Sequence, residues 1–325
     1  MTELEKPKRE SQAVKIARSA ADVWMTPADK AGELAFVSRI LVQAFLPHSD
    51  PKDIGWSRVN GNFSLSVKSG IGRDKKGKFF HYGVPYGTLP RLLLAWMNSE
   101  AISNKQNEKN EHPQVIWLGR SLSDFLEKIG VHRTGGPRGG ITRFKKQAEK
   151  LFYAEISVTG PGIYQGKNGT RHNDMKVSDG QFFFWDAGNP EQTSLWNSCI
   201  KLSDPFYNLL VNTPVPMDWR ILKGIKQSPM ALDLYMWLTH RMSYLNKPVS
   251  IKWETLQQQL GADIENLHHF REQVRKHIKK IKAYWPELKI DADKSDALYL
   301  YPTRSLTSPT KTHSSVASKK PRPIL

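Results

Sequence analysis

Residues 266–285 read NLHHFREQVRKHIKKIKAYW. Leu267, Phe270, Val274, Ile278, Ile281 and Trp285 recur at steps of three, four, four, three and four. A helix over this stretch gathers them into one apolar stripe. Arg271, Arg275, Lys279 and Lys282 recur at steps of four, four and three and fan over the other side. With Lys276 and Lys280 they make six cations against one acid, Glu272. Pro286 ends the helix, because proline cannot continue the ladder. A helix anchored on one side and cationic on the other suits the width of a DNA major groove and meets its phosphates.

A second stretch follows the same rule. Residues 131–150 carry Arg133, Arg138, Arg143, Lys145, Lys146 and Lys150 against Glu149. A helix over 140–152 turns Ile141, Phe144, Ala148 and Leu151 inward, and sets Arg143, Lys146 and Lys150 along the opposite stripe. The tail 303–325 adds Arg304, Lys311, Lys319, Lys320 and Arg322 with no acid. These three stretches hold 15 of the 17 net positive charges. One basic run is often only a solvated helix face; two in matching context point to a polyanionic partner, nucleic acid first.

Working outward, the first basic helix has two helices before it. Thr88 and Pro90 open one that runs through Leu92, Leu93, Trp96, Met97 and Ala101. The polar stretch 104–112 is an exposed loop, and 115–118 is a short strand. Ser121 caps the other helix, with Leu122, Phe125, Leu126 and Ile129 on one face and Gly130 as its stop. A Gly-rich turn over 134–140 leads into the basic helix. Behind it, 154–159 and 181–185 form a hairpin around a Gly/Asn-rich turn at 160–169. The order repeats later. Ser228 caps a helix over 230–245, then come a connection at 249–253, a helix over 254–260 stopped by Gly261, the basic helix 266–285, and a hairpin of 288–290 with 298–301.

Helix, helix, basic helix, hairpin describes a winged helix, a variant of helix-turn-helix. The fold class expected is α+β: tandem winged-helix domains, mostly helical, with β-hairpin wings. Residues 1–26 form a flexible arm, 27–200 the first domain, 201–302 the second and 303–325 a disordered basic tail. The first domain opens with a helix from Pro27 carrying Leu34, Val37, Ile40, Leu41 and Ala44 and ended by Pro47. A hairpin of 62–68 with 78–84 follows. Residues 203–225 are short helical pieces broken by Pro214 and Pro216.

Other readings are excluded one by one. A single cysteine, Cys199, allows no internal disulfide and no cysteine-rich zinc site. The start lacks the apolar stretch of a signal peptide, and no apolar run approaches the roughly 20 residues of a membrane span, so a cytoplasmic protein is expected. Residues 72–79 nearly spell a phosphate-binding loop, but lack its Ser/Thr and sit between strands instead of opening a helix. His268 and Arg271 share the spacing of a recombinase pair without its second arginine and tyrosine in a defined arrangement. No His-apolar-His triplet offers a nickase metal site. No catalytic residue, metal or cofactor is expected, and the ten Trp residues are expected mainly in the core.

The runs YGTLPRLLLAW (86–96), LGRSLSDF (118–125), TGG (134–136) and SPMALDLYMWLT (228–239) closely resemble the plasmid-encoded RepA replication-protein family. The similarity spans roughly residues 78–302. It implies a plasmid replication protein that binds repeated double-stranded DNA sites at the origin, without fixing the replication mechanism; if several copies bind adjacent repeats and open the duplex, helicase loading is expected to fall to host proteins. It brings no active-site residues. On this reading Arg138, Thr142, Arg143, His268, His269 and Arg271, near the N-terminal turns of the two basic helices, read bases. Lys145, Lys146, Lys150, Arg275, Lys276, Lys279, Lys280 and Lys282 neutralise phosphates. A homodimer contact is expected at the 62–84 hairpin and the helix 88–102. A transcriptional repressor of the same fold and an origin nickase or recombinase remain as alternatives.

Overall fold

Gln12–Met25 form helix α1, which buries Ala20 and Val23, and the Trp24 indole Nε1 donates to the carbonyl of Tyr284 at 3.1 Å. This part of the expected flexible arm is therefore a packed element. The computed structural model describes residues 12–43, 45–118, 126–127, 129, 131, 136, 139–164, 167–182, 199–260 and 264–307. Of the helix expected between Ser121 and Gly130, Leu126 and Glu127 are helical and Leu126 and Ile129 are buried, while the rest of it and most of the Gly-rich turn lie outside the described residues.

Leu34–Ser38 form a strand, β1, in place of the expected helix; only Arg39–Gln43 coil, as α2. Ala35 and Val37 are buried at a two-residue period, whereas Leu34, Val37 and Ile40 equally satisfy the period of a helix. The deciding partner is remote: Pro214–Asp218, which pair with β1 from Leu34↔Asp218 to Ser38↔Pro214. Gly55–Asn60 (β2) and Phe63–Lys68 (β3) form a hairpin around Gly61, whose φ of +59° suits the tight turn. The expected pairing of 62–68 with 78–84 does not occur. Phe79–His81 (β5) pair only with Ile71–Arg73 (β4), in a separate small hairpin.

Thr88–Gln106 form α3, Val115–Trp117 β6 and Gly140–Phe152 α4. Glu155–Tyr164 (β7) and Lys167–Lys176 (β8) then run side by side from Glu155↔Lys176 to Tyr164↔Lys167. The stretch expected as a turn, 160–169, is largely ladder, because its Gly and Asn residues continue the strands. Of the stretch expected to complete that hairpin, 181–185, Gln181 and Phe182 are described; they end Ser178–Phe182 (β9), which pairs instead with Cys199–Leu202 (β10). Asp204–Val211 form α5, Pro214–Asp218 β11, Trp219–Ile225 α6 and Pro229–Tyr244 α7. Pro214 and Pro216 are tolerated in β11 because its ladder has one partner, and the missing N–H groups fall on the free edge. Val249–Lys252 (β12), Trp253–Leu260 (α8), Leu267–Tyr284 (α9), Ile290–Asp291 (β13) and Ala297–Leu300 (β14) complete the described elements.

The sheets are small: β2-β3-β7-β8, β6-β10-β9, β12-β14-β13 and the pairs β1-β11 and β4-β5. The two three-stranded sheets have one order, the first strand in sequence beside the third. Each belongs to a run that starts with a buried helix (α3, α7) and carries a basic helix (α4, α9) between its first strand and the other two. In the first run the β7-β8 ribbon is inserted after the basic helix.

α3 and α7 pack together at the centre, with α4 against α3 and α9 against α7. α3 is buried from Pro90 to Asn98 and α7 from Met230 to Thr239, on every side. The α3 helix is thus enclosed over most of the length expected to meet a second copy. Trp96, Trp253 and Trp285 are fully buried, while Trp24 and Trp117 are exposed. Where α3 meets α7, Arg91 donates from Nε to Asp233 Oδ1 at 2.6 Å and from Nη2 to Asp233 Oδ2 at 2.7 Å. Its remaining donors reach the carbonyls of Leu46, Pro47 and Gly87, and His48 Nε2 lies 2.8 Å from Asp233 Oδ2.

A charge left alone in that core costs more than the pair returns. Asp233→Asn or Arg91→Met is expected to lower unfolding free energy by about 3–5 kcal/mol. Arg91→Met combined with Asp233→Leu recovers a large part of it. Urea denaturation of these variants and of Asp233→Leu alone checks this; an additive double variant would refute the coupling.

Candidate nucleic-acid interface

The second basic helix forms as its sequence dictates. Asn266 caps α9, its side-chain oxygen accepting from the His269 N–H at 3.0 Å. Phe270, Val274, Ile278, Ile281 and Trp285 are buried, and Leu267 packs at the edge of the core. On the outer side His268, His269, Lys276 and Lys279 are exposed, and Lys280 and Lys282 are half-buried. His268 and His269 stand 4.0 and 3.9 Å from Glu272.

Arg271 and Arg275 do something else. Arg271 Nη1 donates to the carbonyl of Ser295 at 2.7 Å. Arg275 donates to the carbonyls of Ala292 (2.7 Å) and Asp293 (3.3 Å), with its guanidinium 5.7 Å from the Trp253 ring. Trp253 Nε1 donates to Lys294 O at 3.1 Å. Four successive carbonyls of the β13-β14 turn are held this way. Both arginines, expected as DNA contacts, thus also brace this hairpin. The braced turn presents Lys294, stacked 4.2 Å over Tyr299, a cation absent from the expected set.

On α4 the cations split again. Arg143 and Lys146 are exposed, and Lys145 is half-exposed beside Glu149. Thr142 Oγ1 donates to Gly136 O at 2.9 Å and so closes the turn before the helix. Lys150 is turned inward, 3.7 Å from Asp50 and 4.7 Å from the centre of the Tyr86 ring. It also runs against Gly83 (φ +87°), where a Cβ would sit 2.9 Å from Nζ. Lys150 is thus no freely exposed phosphate contact. Arg138 lies outside the described residues.

Two basic features escape the sequence reading. The β7-β8 ribbon continues past its pairing with β3, which ends at Ser64↔Thr159, and exposes Lys167, Arg171 and His172. The β4-β5 hairpin carries Arg73, Lys75, Lys76 and Lys78 around a turn closed by Asp74, whose carboxylate accepts from the Lys76 and Lys78 N–H groups at 2.9 Å. Its lysine run is the only signal in the sequence. The loop lies between strands, as expected.

Beneath α9, His277 is buried, with Nε2 3.1 Å from Ser228 Oγ. Burial, with Lys280 and Lys276 alongside, pushes its pKa down to about 4. Burial also pushes the Cys199 thiol up, away from thiolate chemistry. Among the described residues no group of three or more His, Cys, Asp or Glu is placed to hold a metal ion, and no helix is long and apolar enough to cross a membrane.

A family model described as plasmid encoded RepA protein matches residues 84–255, just over half of the chain. Two solved structures of domains 2 and 3 of RctB share the fold. One, a selenomethionine derivative, has a TM-score of 0.50 at 12% identity and covers 81% of this chain and 97% of its own. The other, RctB 155–483, has a TM-score of 0.50 at 10% identity, covering 82% and 98%. No curated protein matches.

Two outcomes follow from this geometry. Arg271→Ala and Arg275→Ala free the turn carbonyls, so hydrogen exchange of the amides at 292–298 should accelerate while α9 stays protected. For His277 the folded pKa is depressed, so the unfolded chain binds its proton first. The stabilisation is complete above the unfolded value near 6.5 and is lost as pH falls from there towards 4. The drop in Tm across that window should shrink in His277→Gln, as read by thermal melts at a series of pH values.

Proposed function

The chain belongs to the plasmid-encoded RepA protein family, and on that premise we propose that it initiates plasmid replication by binding double-stranded DNA at repeated origin sites. The observation that carries the reading is the recurrence of one strand order around two basic helices. A buried helix, a strand, a basic helix and two further strands in that order are the parts of a winged helix, here used twice. One unit lies within 27–200 and the other within 201–302, and each lays its basic helix in a major groove.

On α9 the exposed first turn leaves His268 and His269 to meet base edges, while Lys276 and Lys279, with Lys280 and Lys282 at the margin, neutralise phosphates. The braced turn with Lys294 lies over the neighbouring backbone. On α4, Arg143 and Lys146 take the equivalent places. Several copies on adjacent repeats bend and open the duplex, and host proteins load the helicase. The role is binding and remodelling without covalent chemistry on DNA.

DNase footprinting on the parent plasmid should show protected repeats, and the gene supplied in trans should rescue an origin fragment that fails alone. Protection without rescue would leave a repressor instead. The double variant Lys279→Ala, Lys280→Ala should weaken binding to all sequences alike. It should also flatten the plot of log K against log salt by about one unit for each phosphate no longer neutralised. An unchanged slope would remove α9 from the interface.

A further inference from the structure

We infer that the cleft between α3, α4 and the end of α6 is a phosphate-binding site built jointly by the two halves of the chain. The cleft has a volume of about 720 Å³. Arg143, Lys146 and Lys150 enter it from α4, and Lys226, the residue that ends α6, enters from the other half. Asp50 is the one acid among its described lining residues. That carboxylate is already engaged, 3.7 Å from Lys150 and hydrogen-bonded to the Tyr86 hydroxyl.

The cations are graded. Arg143 and Lys146 are exposed, while Lys150 and Lys226 are half-buried. Among the described residues Lys226 has no carboxylate partner, and another cation, Lys223, lies close enough to repel its charge. Burial and that neighbour hold its ammonium below the ordinary lysine range. A cation drawn out of water without a counter-ion is costly, and a doubly or singly charged phosphoryl oxygen cluster entering the cleft offsets that cost. No neutral or cationic ligand does so. Because the cations come from both halves, the anion also bridges them.

Phosphate chemistry has two sources here. One is the DNA backbone passing between α4 and α9, which rests on the function proposed above. The other is a free phosphoryl anion, which does not. The full chain is compared with Lys226→Met, which keeps the aliphatic stem, and Lys226→Arg, which keeps the charge; thermal melts establish that each is folded. In the first arm, binding to a duplex carrying the footprinted repeat is measured across salt concentrations. For a backbone phosphate, Lys226→Met lowers the slope by about one unit and Lys226→Arg retains it. In the second arm, sodium pyrophosphate alone is titrated by calorimetry. For a free anion, the wild type binds pyrophosphate and Lys226→Met binds it about tenfold more weakly, with Lys226→Arg close to the wild type.

Either result supports the site and names its source. An unchanged salt slope together with pyrophosphate binding that is absent, or indifferent to Lys226, overturns it. Lys279→Ala runs alongside. If its slope falls while both Lys226 arms are silent, the cleft alone is refuted. If the wild type binds no duplex, the DNA reading fails and the pyrophosphate arm still decides the cleft.

Discussion

The guanidinium of Arg91 and the carboxylate of Asp233 close a bidentate pair with almost no exposure to solvent. Neither group is tolerable there alone, and the backbone carbonyls of Leu46, Pro47 and Gly87 take up the donors the carboxylate leaves. The pair fixes α3 against α7. Since α4 rides on α3 and α9 on α7, it also fixes how the two basic helices stand to each other. The two longest sequence runs that resemble the RepA family, 86–96 and 228–239, each contain one member of this pair. The resemblance is therefore carried in part by the joint between the halves.

The chain uses its two kinds of cation differently. Arg91 clamps the helix pair, Arg271 and Arg275 hold the β13-β14 turn, and Arg220 ties α1 to α6. Arg220 does so by bonding Asp218 and the carbonyls of Asp22 and Thr26. A planar fork with several donors satisfies several carbonyl oxygens at once. Lysine offers one mobile charge on a flexible stem, and Lys146, Lys276 and Lys279 are left in solvent. Several of the 48 Lys and Arg side chains are thus engaged inside the fold, and fewer are free to reach a polyanion than the sequence count suggests.

The basic helices are legible in the sequence because everything that defines them is local. The stripe of α9, its Asn266 cap and the terminating Pro286 lie within about 20 residues, and the observed limits, Leu267–Tyr284, fall within a residue of those expected. Ser228 at the start of α7 is equally plain. What escapes depends on partners far away in sequence. β1 reads as a helix because its ladder partner is β11. The β7-β8 ribbon reads as a loop because Gly and Asn signal turns even where a ladder runs through them. The hold of Arg271 on Ser295 escapes because a helical wheel shows which way a residue points, and not that a hairpin some 20 residues later lies within its reach.

The β1-β11 ladder joins Leu34 to Asp218. A ribosome adding roughly 5–20 residues per second delivers the second strand on the order of ten seconds or more after the first. Until then Ala35 and Val37 belong to an open edge with apolar side chains, the kind of surface that recruits strays. Birth of the molecule is thus its most vulnerable interval, when that early segment is open to others like it on neighbouring nascent chains.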